Sequence, residues 1–211
     1  LFLDELPEFD RKVLEVLREP IESGRIIISR ASQQVEYPAQ FQLVAAMNPC
    51  PCGFFGDTRQ NCICSHNQIQ RYRSKLSGPL LDRIDLHVSV TRLPINMMTQ
   101  KTTVNESSDA IRERVLKAQQ LQANSRGKIN AQLTSRELID DGWIKEEAIE
   151  WLSMAIEKLG LSARAFHRLL RIGRTIADLE SIDTAYDKDQ VQVQIHHLKE
   201  ALAYRQLDKK I

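Results

Sequence analysis

The sequence predicts an α/β fold that gives way to an all-helical region, and three observations carry that expectation. The first is the opening run Leu1-Phe2-Leu3-Asp4-Glu5, three apolar residues ending in two carboxylates. A strand inside a parallel sheet reads this way, because both of its faces are covered and polar residues wait for its C-terminal tip. The second is another apolar run, Phe41 to Met47, again ending in a polar residue, Asn48. The third is the change of period after residue 107, where apolar positions recur at helical spacing along most of the remaining chain.

Composition sets the class. With 42% hydrophobic and 27% charged residues the chain has enough apolar material for one or two globular domains. No apolar run approaches the ~18 residues of a membrane span, and the apolar N-terminus lacks the basic flank of a signal peptide, so the expectation is a cytoplasmic protein without membrane contact. A net charge of +1 exerts no global pull on nucleic acid, so any such contact must come from a local patch.

Taken in order, the chain reads as follows. Pro7 to Gly24 is expected to be a helix with a break, with Asp10 as N-cap and Gly24 as the stop. Arg25–Arg30 and Gln33–Tyr37 flank Ala31-Ser32 and predict a hairpin. This is either an exposed ribbon with solvated arginines or a ribbon whose Arg25 and Arg30 meet phosphates. The Phe41–Met47 strand follows. A short helix between Ser65 and Lys75 sets Arg71, Arg73 and Lys75 around Tyr72, a local basic patch or a solvated face. Ile84 to Thr91 alternates with period two and predicts a third strand, with a polar linker to about Glu106. Helices are expected from Ser107 or Ser108 to Ala123, with Ile111, Val115, Ala118 and Leu121 on one face, then near 134–140, 145–159, 162–180 and 188–206. Gly160 and Asp187 punctuate them. Arg164, Arg168, Arg171 and Arg174 fall at helical spacing, which reads as an amphipathic surface. His196 and His197 read as surface or core histidines rather than ligands.

Two constellations carry chemistry. Asp4-Glu5 at a strand tip is the arrangement of a Walker B pair in P-loop ATPases, one carboxylate helping to hold Mg²⁺ on the phosphates and the other orienting or deprotonating water. Asn48 at a second tip can hold that water without like-charge cost, or can simply form the turn before Pro49. The sequence contains no G-x-x-x-x-G-K-[ST] loop, so a nucleotide site built on these residues is expected to be a fragment, inactive alone. The four cysteines, Cys50, Cys52, Cys62 and Cys64, fall within fifteen positions and suit a tetrahedral Zn²⁺, with free thiols or a redox pair as the alternative and His66 in reserve.

Four segments are specific together: Leu-Phe-Leu-Asp-Glu-Leu-Pro-Glu-Phe at 1–9, Arg-Glu-Pro-Ile-Glu-Ser-Gly at 18–24, Tyr-Pro-Ala-Gln-Phe-Gln-Leu-Val-Ala-Ala-Met-Asn-Pro at 37–49, and Leu-Ser-Gly-Pro-Leu-Leu-Asp-Arg-Ile-Asp-Leu at 76–86. With them the chain resembles the magnesium-chelatase-like AAA+ proteins, most of all their ComM/YifB branch, over essentially its whole length. The resemblance implies the later part of a P-loop AAA+ core (three strands plus a hairpin) at residues 1–93, a linker at 94–106 and an all-α lid at 107–211. It further implies that Asp4 and Glu5 are Walker B, Asn48 sensor 1, Arg83 the arginine finger with Arg71 and Arg73 as rivals, and Arg164 sensor 2. ATP and Mg²⁺ are the implied cofactors. The implied assembly is a hexameric ring, since a finger acts on a neighbour's nucleotide. The family's first strand would lie between the second and third strands named here, so the chain alone is expected to be poorly stable, reshuffled or oligomeric.

Three functions compete at this level. One is an ATP-driven ring that remodels DNA, promoting branch migration during uptake and recombination of transforming DNA. Another is the ATPase subunit of a magnesium or cobalt chelatase acting on a tetrapyrrole. The last is a non-catalytic interaction piece.

Overall fold

The computed structural model describes residues 1–30, 33–92, 106–183 and 191–205. These fall into two compact units, the first made of Leu1–Ile84 and Val90–Arg92, the second containing Asp85–Ser89 and the described residues from 106 onward.

In the first unit, β1 (Phe2–Leu3) leads through a 3₁₀ turn at Leu6–Glu8 into α1 (Arg11–Val16) and α2 (Arg18–Ser23). The Asp10 side chain accepts from the Lys12 N–H to start α1, and Gly24 at φ 69° closes α2 in the left-handed region that glycine enters without steric cost. The break between the two helices falls at Leu17. Pro20, near the start of α2, costs little there, because its missing N–H belongs to the first turn, which has no intrahelical partner. The hairpin forms as β2 (Arg25–Arg30) against β3 (Gln33–Pro38), antiparallel, from Arg25 opposite Pro38 to Arg30 opposite Gln33; residues 31–32 lie outside the described ones.

The expected strand at 41–47 contracts to β4 (Val44–Ala45), which pairs in parallel with β1 through Phe2 opposite Val44 and Leu3 opposite Ala45. Next come α3 (His66–Arg73), with a reciprocal Ser65/Gln68 capping box, and α4 (Gly78–Leu81). Leu6, Leu14, Leu76 and Leu80 form the core of this unit, with Leu17, Ile21, Met47 and Ile84 against it.

The third expected strand does not form. Residues 84–91 make a single bridge, His87 to Arg205, and the alternating apolar side chains Leu86, Val88 and Val90 stand 49%, 66% and 89% exposed. Period-two alternation is a strand signal only where a neighbouring strand supplies the ladder, and no strand lies beside these residues among those described. Among the described residues the α/β portion therefore holds two paired strands plus a hairpin rather than three plus a hairpin. The expected linker at 94–106 lies almost wholly outside the described residues, as does Asp187.

The second unit is helical: α5 (Ser108–Arg126, capped by Ser107), α6 (Ser135–Asp140), α7 (Glu146–Leu159), α8 (Ala163–Asp183) and α9 (Ile195–Ala203). The Thr134/Glu137 capping box and the left-handed Gly160 appear as expected. The expected apolar face of α5 is corrected. Ile111 and Val115 are 42% and 44% exposed, whereas Ala118 and the polar Gln122 are buried, because the helix docks through its C-terminal half. Leu133, Leu138, Leu152, Leu169, Leu170 and Leu198 dominate the core. α8 and α9 approach closely at Gly173, where an added Cβ would sit 2.6 Å from Leu198 Cδ2.

Candidate functional site

The β1–β4 pair fixes the geometry of the site. Three ladder bonds, Val44 N–H to Leu1 O, Ala46 N–H to Leu3 O and Leu6 N–H to Ala46 O, each 2.9 Å, hold the two strands in parallel, so Asp4-Glu5 and Asn48 emerge at the same end. Glu5 is the one described non-glycine residue with positive φ (51°, ψ 47°). An L-residue held there costs on the order of 1–2 kcal/mol, and such strain persists where surrounding bonds over-determine it. Here the Glu5 N–H is taken by Asp4 Oδ1 at 2.9 Å, and the next N–H belongs to Ala46 O. The turn sets Glu5 on the wall of a cleft of about 360 Å³ that Asn48, Gln68, Arg71, Tyr72 and Lys75 also line.

Helix α3 holds the Asn48 segment from both sides. The buried Tyr72 lies beside the Asn48 backbone, whose N–H favours the phenolate, and Arg73 Nε donates to the Pro49 carbonyl at 3.2 Å. Desolvation, with Glu8 nearby, raises the Tyr72 pKa and keeps the phenol neutral. Lys75 Nζ meets Glu8 Oε1 at 3.1 Å across the same region. Tyr72 and Arg73 are missed by sequence reasoning as supports of Asn48. Tyr72 stood out in sequence only as the aromatic inside a basic patch, and its partner lies 24 positions away.

Two carboxylates and a carboxamide at one strand end fit part of a Mg²⁺–nucleotide site: hard oxygen donors for the ion and a neutral group for water. Among the other predicted residues, Arg83 is 8% exposed, with Nη1 donating to the Pro79 carbonyl at 2.8 Å and Nη2 on Glu22 at 2.5 Å. Arg71 is exposed in the cleft. Arg164 lies exposed in the first turn of α8, in the second unit. Arg25 pairs with Glu36 across the hairpin at 3.3 Å, and the backbone of Arg30 pairs with Gln33.

The four cysteine sulfurs converge. Cys50 Sγ lies 3.4 Å from Cys52 and 3.7 Å from Cys62, Cys52 lies 3.5 Å from Cys62, and all four, Cys64 included, fall within 4.8 Å of one another. A tetrahedral Zn–S distance of about 2.3 Å requires S···S edges near ~3.8 Å, so the set fits zinc with small adjustment. The Phe54 and Ile63 N–H groups bring the Cys52 thiol down to about 6 despite desolvation. The Cys64 N–H favours the Cys62 thiolate, yet desolvation and the adjacent Cys52 and Cys50 sulfurs push that thiol up to about 12. Desolvation and Cys52 also raise Cys64. Four thiolates this close cannot coexist without a cation between them.

The arginine stripe on α8 is corrected. Arg174 is 2% exposed and donates to Asp178 Oδ1 from Nε (2.9 Å) and Nη2 (2.6 Å), Arg171 donates to the Leu133 carbonyl, and Arg168 pairs with Asp85. Asp178, fully buried, also receives both Arg126 Nη groups and the Asn130 amide. A second polar group joins Glu180, His196 and His197. His197 Nδ1 accepts the Gln194 N–H at 2.9 Å, which leaves Nε2 as the N–H donor to Glu180 Oε2 at 2.6 Å. Its metal-binding lone pair is therefore occupied by a proton, and the cluster is a helix cap rather than a ligand set.

Comparison with known proteins adds the following. Residues 1–98 match the model of magnesium chelatase, subunit ChlI, and residues 105–205 that of the ChlI C-terminal region. Competence protein ComM of Haemophilus influenzae is 48% identical over 97% of this chain and 38% of its own length. The uncharacterized protein YifB of Escherichia coli is 42% identical over 99% of this chain and 39% of its own. A magnesium-chelatase subunit ChlI homolog of Methanocaldococcus jannaschii is 24% identical over 96% of this chain and 47% of its own. The chain thus spans about two fifths of the length of the ComM and YifB relatives. Among the described residues no helix is long and apolar enough to cross a membrane.

Proposed function

The chain belongs to the magnesium chelatase subunit ChlI family, and from that premise we propose that it is the Walker B-to-lid portion of an ATP-driven ring motor that remodels DNA. The observation that carries the reading is the cleft shared by Glu5 and Asn48 at one end of the β1–β4 pair. In this reading residues 1–93 are the partial core and 107–211 the lid. Asp4 helps hold Mg²⁺, which when bound offsets charge on the nucleotide phosphates. Glu5 takes the proton of the attacking water, and Asn48 orients that water. The left-handed turn at Glu5 supports this assignment, since it turns the chain at the strand tip where Glu5 lines the cleft. Arg83 serves a neighbouring subunit as the finger after exchanging Glu22 for a phosphate, and Arg164 acts as sensor 2 on the lid. The cysteines hold a structural Zn²⁺ two residues beyond Asn48.

The DNA substrate rests on the higher identity to the competence protein than to the chelatase subunit homolog. A tetrapyrrole chelatase role is the second reading, and it draws on the name of the matched family. Glu5→Gln in the full-length protein is expected to keep nucleotide affinity while slowing hydrolysis by roughly 10²-fold or more, because it removes the base and keeps the shape. Unchanged turnover removes Glu5 from the role. Absence of any branched-DNA binding by the full-length protein would move the reading to the chelatase.

A further inference from the structure

From Thr58 to Leu81 the chain has no Asp or Glu, yet carries Arg59, Arg71, Arg73 and Lys75. In a chain with 28 acidic and 29 basic residues overall, that is a strong local asymmetry. The stretch closes the cysteine loop and forms α3. Just before it, the loop carries two adjacent phenylalanines. Arg73 lies over the Phe55 ring at 5.2 Å and Arg92 over the Phe54 ring at 5.6 Å. Asp57 is the one acid in this group; its carboxylate caps the Arg59 N–H at 2.7 Å and stands 3.9 Å from Arg92. Phe55 is 38% exposed, Ile63 86%, and Arg59 is exposed.

Rings flanked by guanidiniums on a basic surface are the combination that binds single-stranded nucleic acid: cations track the phosphates, and bases of any identity stack on the rings. The hairpin β2–β3, the other candidate, is poorer in charge, since it carries Arg25 and Arg30 with Glu36 between its strands, against Arg59, Arg71, Arg73, Lys75 and Arg92 here. We propose that the cysteine loop, through Phe55, Arg59 and Arg92 and the adjoining face of α3, is the docking surface of this chain for single-stranded DNA. The inference rests on the DNA-motor reading and names the surface that reading leaves open.

Fluorescence anisotropy of the full-length protein with a labelled oligothymidylate tests it, with circular dichroism and zinc content checking that each variant is folded. Phe55→Ala and Arg59→Glu are each expected to weaken binding at least about fivefold. For Arg59→Glu the slope of log affinity against log salt should also flatten by about 0.7, one phosphate contact. Arg25→Glu should leave binding within about twofold. Should Phe55→Ala disturb the cysteine loop, the decision falls to Arg59→Glu and Arg92→Glu, whose side chains lie at the surface. Folded variants that bind like the parent overturn the proposal. If Arg25→Glu alone loses affinity, DNA docks on the hairpin and the motor reading stands without this surface. If the parent protein binds no oligonucleotide even at low salt, the motor reading itself falls and takes the surface with it.

Discussion

Asp178 accepts hydrogen bonds from two guanidiniums at once, and its burial makes it the most consequential single acid of the helical unit. Removing one partner of a buried charge group strands the others, so Asp178→Ala should destabilise the unit by about 3–5 kcal/mol, read as a lowered denaturant midpoint. A fall below 1 kcal/mol would mean that water reaches the two arginines. Only the Arg174 half is legible in the sequence, at i,i+4 helical spacing, because the other partner, Arg126, stands 52 positions earlier. His197 gives a pH-dependent contribution. Desolvation lowers its pKa below the usual 6.5, and the Glu180 carboxylate opposes this without reversing it. The folded state therefore prefers the neutral ring. That stability is fully present above about pH 6.5 and is lost as pH falls through the lowered value, where a proton on Nδ1 displaces the Gln194 cap. Denaturation curves for the parent and His197→Asn should diverge above pH ~6.5 and converge below it. Parallel curves across that range would rule the imidazole out.

At the scale of elements, two helices approach closely at Gly173. Alanine there gains up to about 1 kcal/mol of helix propensity but drives its Cβ into Leu198, which has no exposed surface into which to move. The clash should win, so Gly173→Ala is expected to lower stability by about 1–2 kcal/mol, and a raised melting temperature would show that α9 can slide. Elements whose cause is local were readable in advance: caps at Asp10, Ser107 and Thr134, stops at Gly24 and Gly160, and the hairpin. The strand at 84–91 was not, since alternation announces a face and says nothing about whether a neighbour exists to pair with it. The candidate site divides the same way. Carboxylates at a strand tip and cysteines at close spacing are visible in one dimension, whereas the hold of Tyr72 and Arg73 on the Asn48 segment is a product of the fold.

For the molecule as a whole, the cysteine cluster sits two positions beyond Asn48 and opens the segment that α3 completes. If zinc occupies it, protein prepared reduced and without chelator should carry about one ion per chain, and chelation should lower the melting temperature and open all four thiols to alkylation. Substoichiometric metal with freely reacting thiols would favour a redox-sensitive loop. The placement of α3 has a further consequence. One helix sets Tyr72 beside the Asn48 backbone, grips the Pro49 carbonyl through Arg73, and through the same Arg73 covers Phe55 of the loop. Arg73 thus links the backbone next to Asn48 with the Phe55 ring proposed above as a stacking platform. If a strand binds Phe55 and a nucleotide binds the cleft, free energy spent in moving the ring would reach the Pro49 backbone beside Asn48, and by thermodynamic reciprocity the nucleotide would alter the grip on the strand by the same factor. A motor with this gearing would have no need of a separate transmission, because its grip and its trigger would be two ends of one arginine.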